Sequence, residues 1–269
     1  MSNQTAVQEL RDRFRSLHDN MFVMPNPWDV GSARILEALG YRALATTSSG
    51  MAAAMGRQDQ QTTLGELEAH VASITAAVSI PLNVDAEFCF SRSAQGVAET
   101  VDRLAAAGAS GISIEDYDPV EQAILDPETA TERVAIAVNS ARQYGVTLTA
   151  RSENHLYGVD DLDDTIARLV AYKQAGADVL YAPGIVRPTQ IVQVVEACER
   201  PVNVLALPGC PSIRDLDALG VRRVSTGGAL AWAAYGALAR AGRSLFGEGT
   251  YGYLDEAIGS ADREAAFGH

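Results

Sequence analysis

The run PLNVDAEFCF sets Asp85 and Glu87 two residues apart at the end of an apolar stretch, Pro81 to Val84. If that stretch is a strand, both carboxylates face one side, and buried acids are costly unless something pairs with them. Similar runs carry more chemistry: GISIED ends in Glu115 and Asp116, TLTARSE holds Arg151 and Glu153, and PVNVLAL contains Asn203. TTSSG offers the hydroxyls of Thr46, Thr47, Ser48 and Ser49 followed by Gly50, and Tyr181 and Thr226 lie near the ends of two further runs. Oxygen ligands with no His or Cys among them suit Mg²⁺ or Mn²⁺, so Asp85, Glu87 and Glu115 form a candidate metal platform. The competing reading is an internal Arg–carboxylate network around Arg151. That arginine can alternatively grip a substrate carboxylate through two hydrogen bonds. TTSSG reads either as a capped loop or as a small anion-binding nest, and Asp116 as the N-cap of the following helix.

Eight β-rich runs must position these groups: 21–26, 42–48, 81–87, 111–116, 147–153, 178–183, 201–207 and 222–226. Helical stretches lie between them. Several close on Gly directly before the next strand, as in LEALGYRALA and KQAGADVLY, which is a helix C-cap signal. Eight βα repeats with nearly continuous apolar strands predict an α/β fold, a single (β/α)₈ TIM-type barrel spanning 1–269. An open doubly wound sheet would ordinarily carry a Gly-rich loop after its first strand, and MFVMPNPWDVGS has one Gly. Residues 1–20 read as an N-terminal helix and about 228–269 as a C-terminal helical segment. In a barrel, active groups gather at the C-terminal strand ends, where the acids and Arg151 fall.

The chain has 34 acidic and 21 basic residues, a formal net charge of −13. Such a surface repels phosphate backbones and anionic lipid, so neither nucleic acid nor membrane is expected as a partner. The N-terminus is too polar for a signal peptide. The three cysteines, Cys89, Cys198 and Cys210, show no CxxC or Cys/His spacing. They read as reduced thiols in a cytoplasmic protein. None of the histidines sits near a nucleophile at recognisable spacing, which leaves a Ser/His/Asp hydrolase unsupported.

NPWDVGSARILEALGYRALATTSSGMAAAMGRQD, NVDAEFCF, GASGISIEDYD, LTARSENH and AGADVLYAPG together resemble the isocitrate lyase / phosphoenolpyruvate mutase superfamily, over roughly residues 10 to 245. The resemblance implies a barrel whose eighth helix is swapped with a neighbouring subunit, usually in a homotetrameric dimer of dimers. It also implies Mg²⁺ and a small α-oxo or 2-hydroxy acid substrate. Carried over residue by residue, it makes Asp85, Glu87 and Glu115 metal-binding acids, some through water, and Asp59 an acid near the metal. Thr47, Ser48 and Ser49 then hold the substrate carboxylate, and Arg151 contacts the substrate. Glu87 departs from the commoner Asp. IEDYDPVEQAILDPE lacks the Cys, Lys and His of the isocitrate and methylisocitrate lyase loop, and Cys89 is not its equivalent.

These features imply a Mg²⁺-dependent lyase that breaks a C–C bond of a small α-oxo or 2-hydroxy dicarboxylate, by decarboxylation or retro-aldol cleavage through an enolate. Arg151 and Asp59 are the candidate catalytic groups. Thr47, Ser48, Ser49, Arg151 and Asn203 are the candidate substrate-binding ones. The alternatives are C–P bond chemistry on a phosphonopyruvate-like substrate, a carboxylate-dependent hydrolase, and a non-catalytic oxo-acid-binding or scaffold barrel.

Overall fold

The computed structural model describes residues 3–268. The chain opens with α1 (Asn3–Leu17) and then alternates β1 (Phe22–Met24), α2 (Val30–Ala38), β2 (Leu44–Ala45), α3 (Ser48–Ala54), α4 (Leu64–Thr75), β3 (Leu82–Asp85), α5 (Ala94–Ala106) and β4 (Gly111–Glu115). A short antiparallel hairpin, β5 (Tyr117–Asp118) and β6 (Ala123–Ile124), precedes α6 (Pro127–Tyr144). The order continues with β7 (Thr147–Arg151), α7 (Leu162–Gln174), β8 (Val179–Tyr181), α8 (Pro188–Cys198), β9 (Val202–Leu205), α9 (Ile213–Ala218) and β10 (Arg223–Ser225). The C-terminal part holds α10 (Ala229–Gly247) and α11 (Ser260–Phe267).

Eight parallel strands form one sheet in the order β1-β10-β9-β8-β7-β4-β3-β2. Its ends meet where the Ala45 amide donates to the Pro25 carbonyl at 3.0 Å. The Asn26 side chain bridges the same seam, donating to the Thr46 carbonyl and accepting from the Thr226 and Gly227 amides. The α/β barrel expected from the repeats is therefore the observed fold, and each of the eight expected runs contains a barrel strand.

Strand residues alternate between two environments. Leu82, Val84, Ile112, Ile114, Leu148, Ala150 and Leu180 point outward into one apolar layer with Val71, Val101, Leu104, Val134 and Leu169 of the helices. A second, smaller cluster of Phe14, Leu17, Phe22, Met24, Ala43 and Ala45 seals the bore beneath β1 and β2. Gly145 ends α6 at φ 71°, a left-handed cap that places Val146 directly into the outer layer.

The C-terminal helix behaves differently. Of the 19 residues of α10 only Ala231 is buried, while Trp232, Leu238 and Phe246 stand exposed. Among the described residues, no helix is long and apolar enough to cross a membrane.

Candidate active site

The C-terminal mouth of the barrel gathers the expected side chains. Arg151, at the end of β7, lies at the centre. Its guanidinium meets Asp85 at 2.7 Å, Glu153 at 2.7 Å and Glu115 at 3.3 Å, and sits 5.2 Å from the Tyr181 ring centre. Burial works against this charge, but Glu153, Asp85 and Glu115 outweigh it and hold Arg151 well above its usual range. Burial also lifts the carboxyls of Glu115 and Glu153, with Arg151 pulling the other way.

Glu87 reaches the cluster by a route the strand pattern does not describe. β3 ends at Asp85, and Glu87 adopts φ 47°, so the two-residue alternation has stopped before it. The turn that follows places Cys89 and Phe90 in the left-handed region too, at φ 56° and 51°. Such residues cost about 1–3 kcal/mol each unless the surroundings enforce them. Here Arg133 of α6 donates to the carbonyls of Phe88 and Ser91 and lies 3.8 Å from the Phe88 ring centre, while the Thr100 hydroxyl donates to the Cys89 carbonyl. Glu87 is 4% exposed, and burial with the nearby charges of Asp85 and Asp59 pushes its pKa up to about 8.

The other expected residues divide. Thr47 caps α3, its hydroxyl accepting from the Gly50 amide, and it lines the cavity with its O–H still free to donate. Ser48 and Ser49 open that helix on the cavity wall, and the Ser48 amide faces Asp85 Oδ2 at 3.4 Å. Asp59 stands exposed at the mouth, and its neighbour Gln60 donates to Glu115 at 3.0 Å. Asn203 lies deeper in the bore, donating to Ser225 and accepting from Arg223. Asp116 is no helix cap: α6 is capped by Asp126, and Asp116 is a buried acceptor for the Tyr172 hydroxyl, the Glu153 amide and Arg168. It thereby fixes Glu153 from behind. Cys89 is fully buried, and burial lifts its thiol to about 12, so it is no acid–base group.

Beside this cluster lies a cavity of about 140 Å³, lined by Ser48, Ser49, Asp59, Asp85, Arg151 and Tyr181 at its upper end. That is below the roughly 300–1,000 Å³ of pockets for drug-sized molecules and fits a small acid. Above the acids, Tyr117 and Tyr157 stack with ring centres 3.6 Å apart. Buried Asn83, Ser113, Ser225 and Arg223 also line the cavity, though neither their types nor their positions mark them in the motifs. Their signal is periodic: Asn83 and Ser113 stand two residues before Asp85 and Glu115, on the same side of their strands.

The donor set suits a hard divalent cation. One guanidinium faces three carboxylates, and Glu87 Oε1 and Glu153 Oε2 are buried without a hydrogen-bond partner. Among the described residues no group of three or more Asp, Glu, His or Cys side chains is placed to hold a metal ion, and Asp85 Oδ1 is held by Arg151. The arrangement fits an ion that retains waters and binds through one or two carboxylates, as Mg²⁺ does.

Residues 14–246 match the family model for phosphoenolpyruvate phosphomutase. A crystal structure of a Burkholderia cenocepacia J2315 protein, assigned to the lyase/mutase class, superposes with a TM-score of 0.94 at 44% identity, covering 98% of both chains. An uncharacterized protein of Mycobacterium tuberculosis (strain ATCC 25618 / H37Rv) is 33% identical over 235 residues, covering 86% of this chain and 88% of that one. The oxaloacetate decarboxylase of Rhodopseudomonas palustris (strain TIE-1) is 29% identical over 205 residues, 73% of this chain and 69% of that one.

Proposed function

For a chain that belongs to the isocitrate lyase / phosphoenolpyruvate mutase superfamily, we propose divalent-cation-dependent C–C bond cleavage in a small α-oxo dicarboxylate, with decarboxylation of an oxaloacetate-like substrate as the reaction. One observation carries this reading: a small polar cavity whose mouth holds a surplus of carboxylates around Arg151, next to a buried, unpartnered Glu87 oxygen. The similarity to an oxaloacetate decarboxylase supports it.

Asp85, Glu87 and Glu115 would hold the cation, the latter two in part through water. When bound, the ion supplies positive charge beside the substrate oxygen on which negative charge develops. The rest falls to the chain. Ser48 and Ser49 orient the substrate carboxylate with their hydroxyls and backbone N–H groups, and Arg151 adds a fixed positive charge that needs no reorganisation. As the bond to the departing carboxyl breaks, its electron pair passes into the oxo group and CO₂ leaves. The new carbon–hydrogen bond then takes a proton from solvent. Expelling CO₂ requires no positioned side-chain acid, which agrees with the lack of Cys, Lys and His in the β5–β6 hairpin and its flanks, residues 114–128.

The test is a panel of C4–C6 oxo and hydroxy dicarboxylates with Mg²⁺, with and without chelator. Asp85→Ala serves as the background for metal-catalysed breakdown in solution. Release of CO₂ and pyruvate is expected to fall by about 10²–10³ in that variant. Turnover of phosphonopyruvate without turnover of any dicarboxylate would instead establish C–P chemistry. The unburied apolar side chains of α10 also support assembly of several copies through that helix. Light scattering is expected to give a multiple of 28.5 kDa, and a monomer mass would rule this out.

A further inference from the structure

The cavity does not stop at the acidic mouth. It continues down the barrel past Asn83, Ser113 and Ser225 to Asn203 and Arg223. Barrel interiors are ordinarily filled by layers of branched apolar side chains. Here the layer beneath the acids is polar, and its largest member, Arg223, is 1% exposed. The guanidinium donates to Asn203 Oδ1 at 2.9 Å, Thr149 Oγ1 at 3.0 Å and His18 Nε2 at 3.2 Å. All three acceptors are neutral. A guanidinium has five N–H groups, so two are left over. Among the described residues no carboxylate pairs with Arg223, and Asn83 Oδ1 on the same cavity is buried without a partner.

A buried charge of this kind is a poor structural device, because an apolar side chain of similar volume is often as stable or more so. The site has the composition of a receptor for an anion instead. The Thr149 hydroxyl that meets Arg223 lies two residues below Arg151 on β7, roughly 6.6 Å along the strand. A short carbon chain bridges that span.

We propose that Arg223, with Asn203 and Ser225, forms an anion subsite at the cavity floor that takes the second carboxylate of a dicarboxylate substrate lying along the barrel axis. Its first carboxylate sits at Ser48, Ser49 and Arg151. This deepens the proposed function and rests on it only for the upper end.

The experiment is calorimetric titration of the full chain with Mg²⁺, using unreactive acids. Succinate, glutarate and adipate are compared with butyrate, valerate and hexanoate, matched in chain length. At least one dicarboxylate is expected to bind about tenfold or more tightly than its match, the effect of one charge-assisted hydrogen bond. Arg223→Met should abolish that ratio and Arg223→Lys keep part of it. Ser225→Val fills the passage while leaving the bonds of Arg223 to His18 and Thr149 in place, so it should also lose the ratio if Arg223→Met does not fold. An unchanged ratio in folded Arg223→Met, even with a lowered melting temperature, would show that Arg223 only clamps α1, and the subsite would be disproved. No dicarboxylate preference in the wild type would do the same. Because these acids are not turned over, an intact ratio with no lyase activity would remove the reaction and keep the subsite.

Discussion

At the residue scale, His18 shows how tightly the barrel floor is specified. Its Nδ1–H donates to the Phe14 carbonyl at 3.0 Å, which leaves Nε2 as the acceptor for Arg223. Only the neutral ring can do both. Burial, then the Arg223 charge, lowers its pKa from 6.5 to about 3. The unfolded chain binds this proton below pH 6.5 and the folded one does not until about pH 3. The contribution is therefore complete above 6.5 and drains away as pH falls, by about 1.4 kcal/mol per unit inside that window. Urea unfolding at pH 7, 6 and 5 should show this slope, and His18→Gln should flatten it; equal slopes would refute the assignment. The acids of the site were legible because charge at the end of an apolar run is conspicuous. His18 and Arg223 were not, since nothing local links residues 205 apart in sequence.

At the element scale, the eight strands were readable from apolar runs ending at Gly-capped helices, while the turn after β3 was not. Alternation placed Glu87 beside Asp85, and the structure puts it near by another means, three left-handed residues held by α6. The restraint comes from long-range contacts, which a local pattern does not contain. The N-cap expectation for Asp116 fails for the same reason, since its partners Tyr172 and Arg168 lie on α7. Arg133→Met should strand the carbonyls of Phe88 and Ser91 and cost about 2–4 kcal/mol. It should also weaken Mg²⁺ binding, since Glu87 would no longer be presented. Melting and metal titration read both effects, and a destabilised variant with unaltered Mg²⁺ affinity would detach the turn from the site.

At the scale of the whole molecule, cohesion and recognition occupy opposite faces of the same strands. Ile112 is fully buried in the outer apolar layer, whereas its neighbour Ser113 faces the cavity. Ile112→Ala should cost about 2–5 kcal/mol and Ser113→Ala under about 1.5, because its one hydrogen bond, to the Val84 carbonyl, is long at 3.4 Å. Denaturant midpoints would check the contrast, and comparable losses would deny the division. The polar bore then has an evolutionary consequence. Where the interior of a barrel holds the fold together, every change of specificity is also a wager on stability. Here Ser113, held by one long side-chain hydrogen bond, can be exchanged with little harm to the shell, so the cavity wall can change at that position without putting the fold at risk.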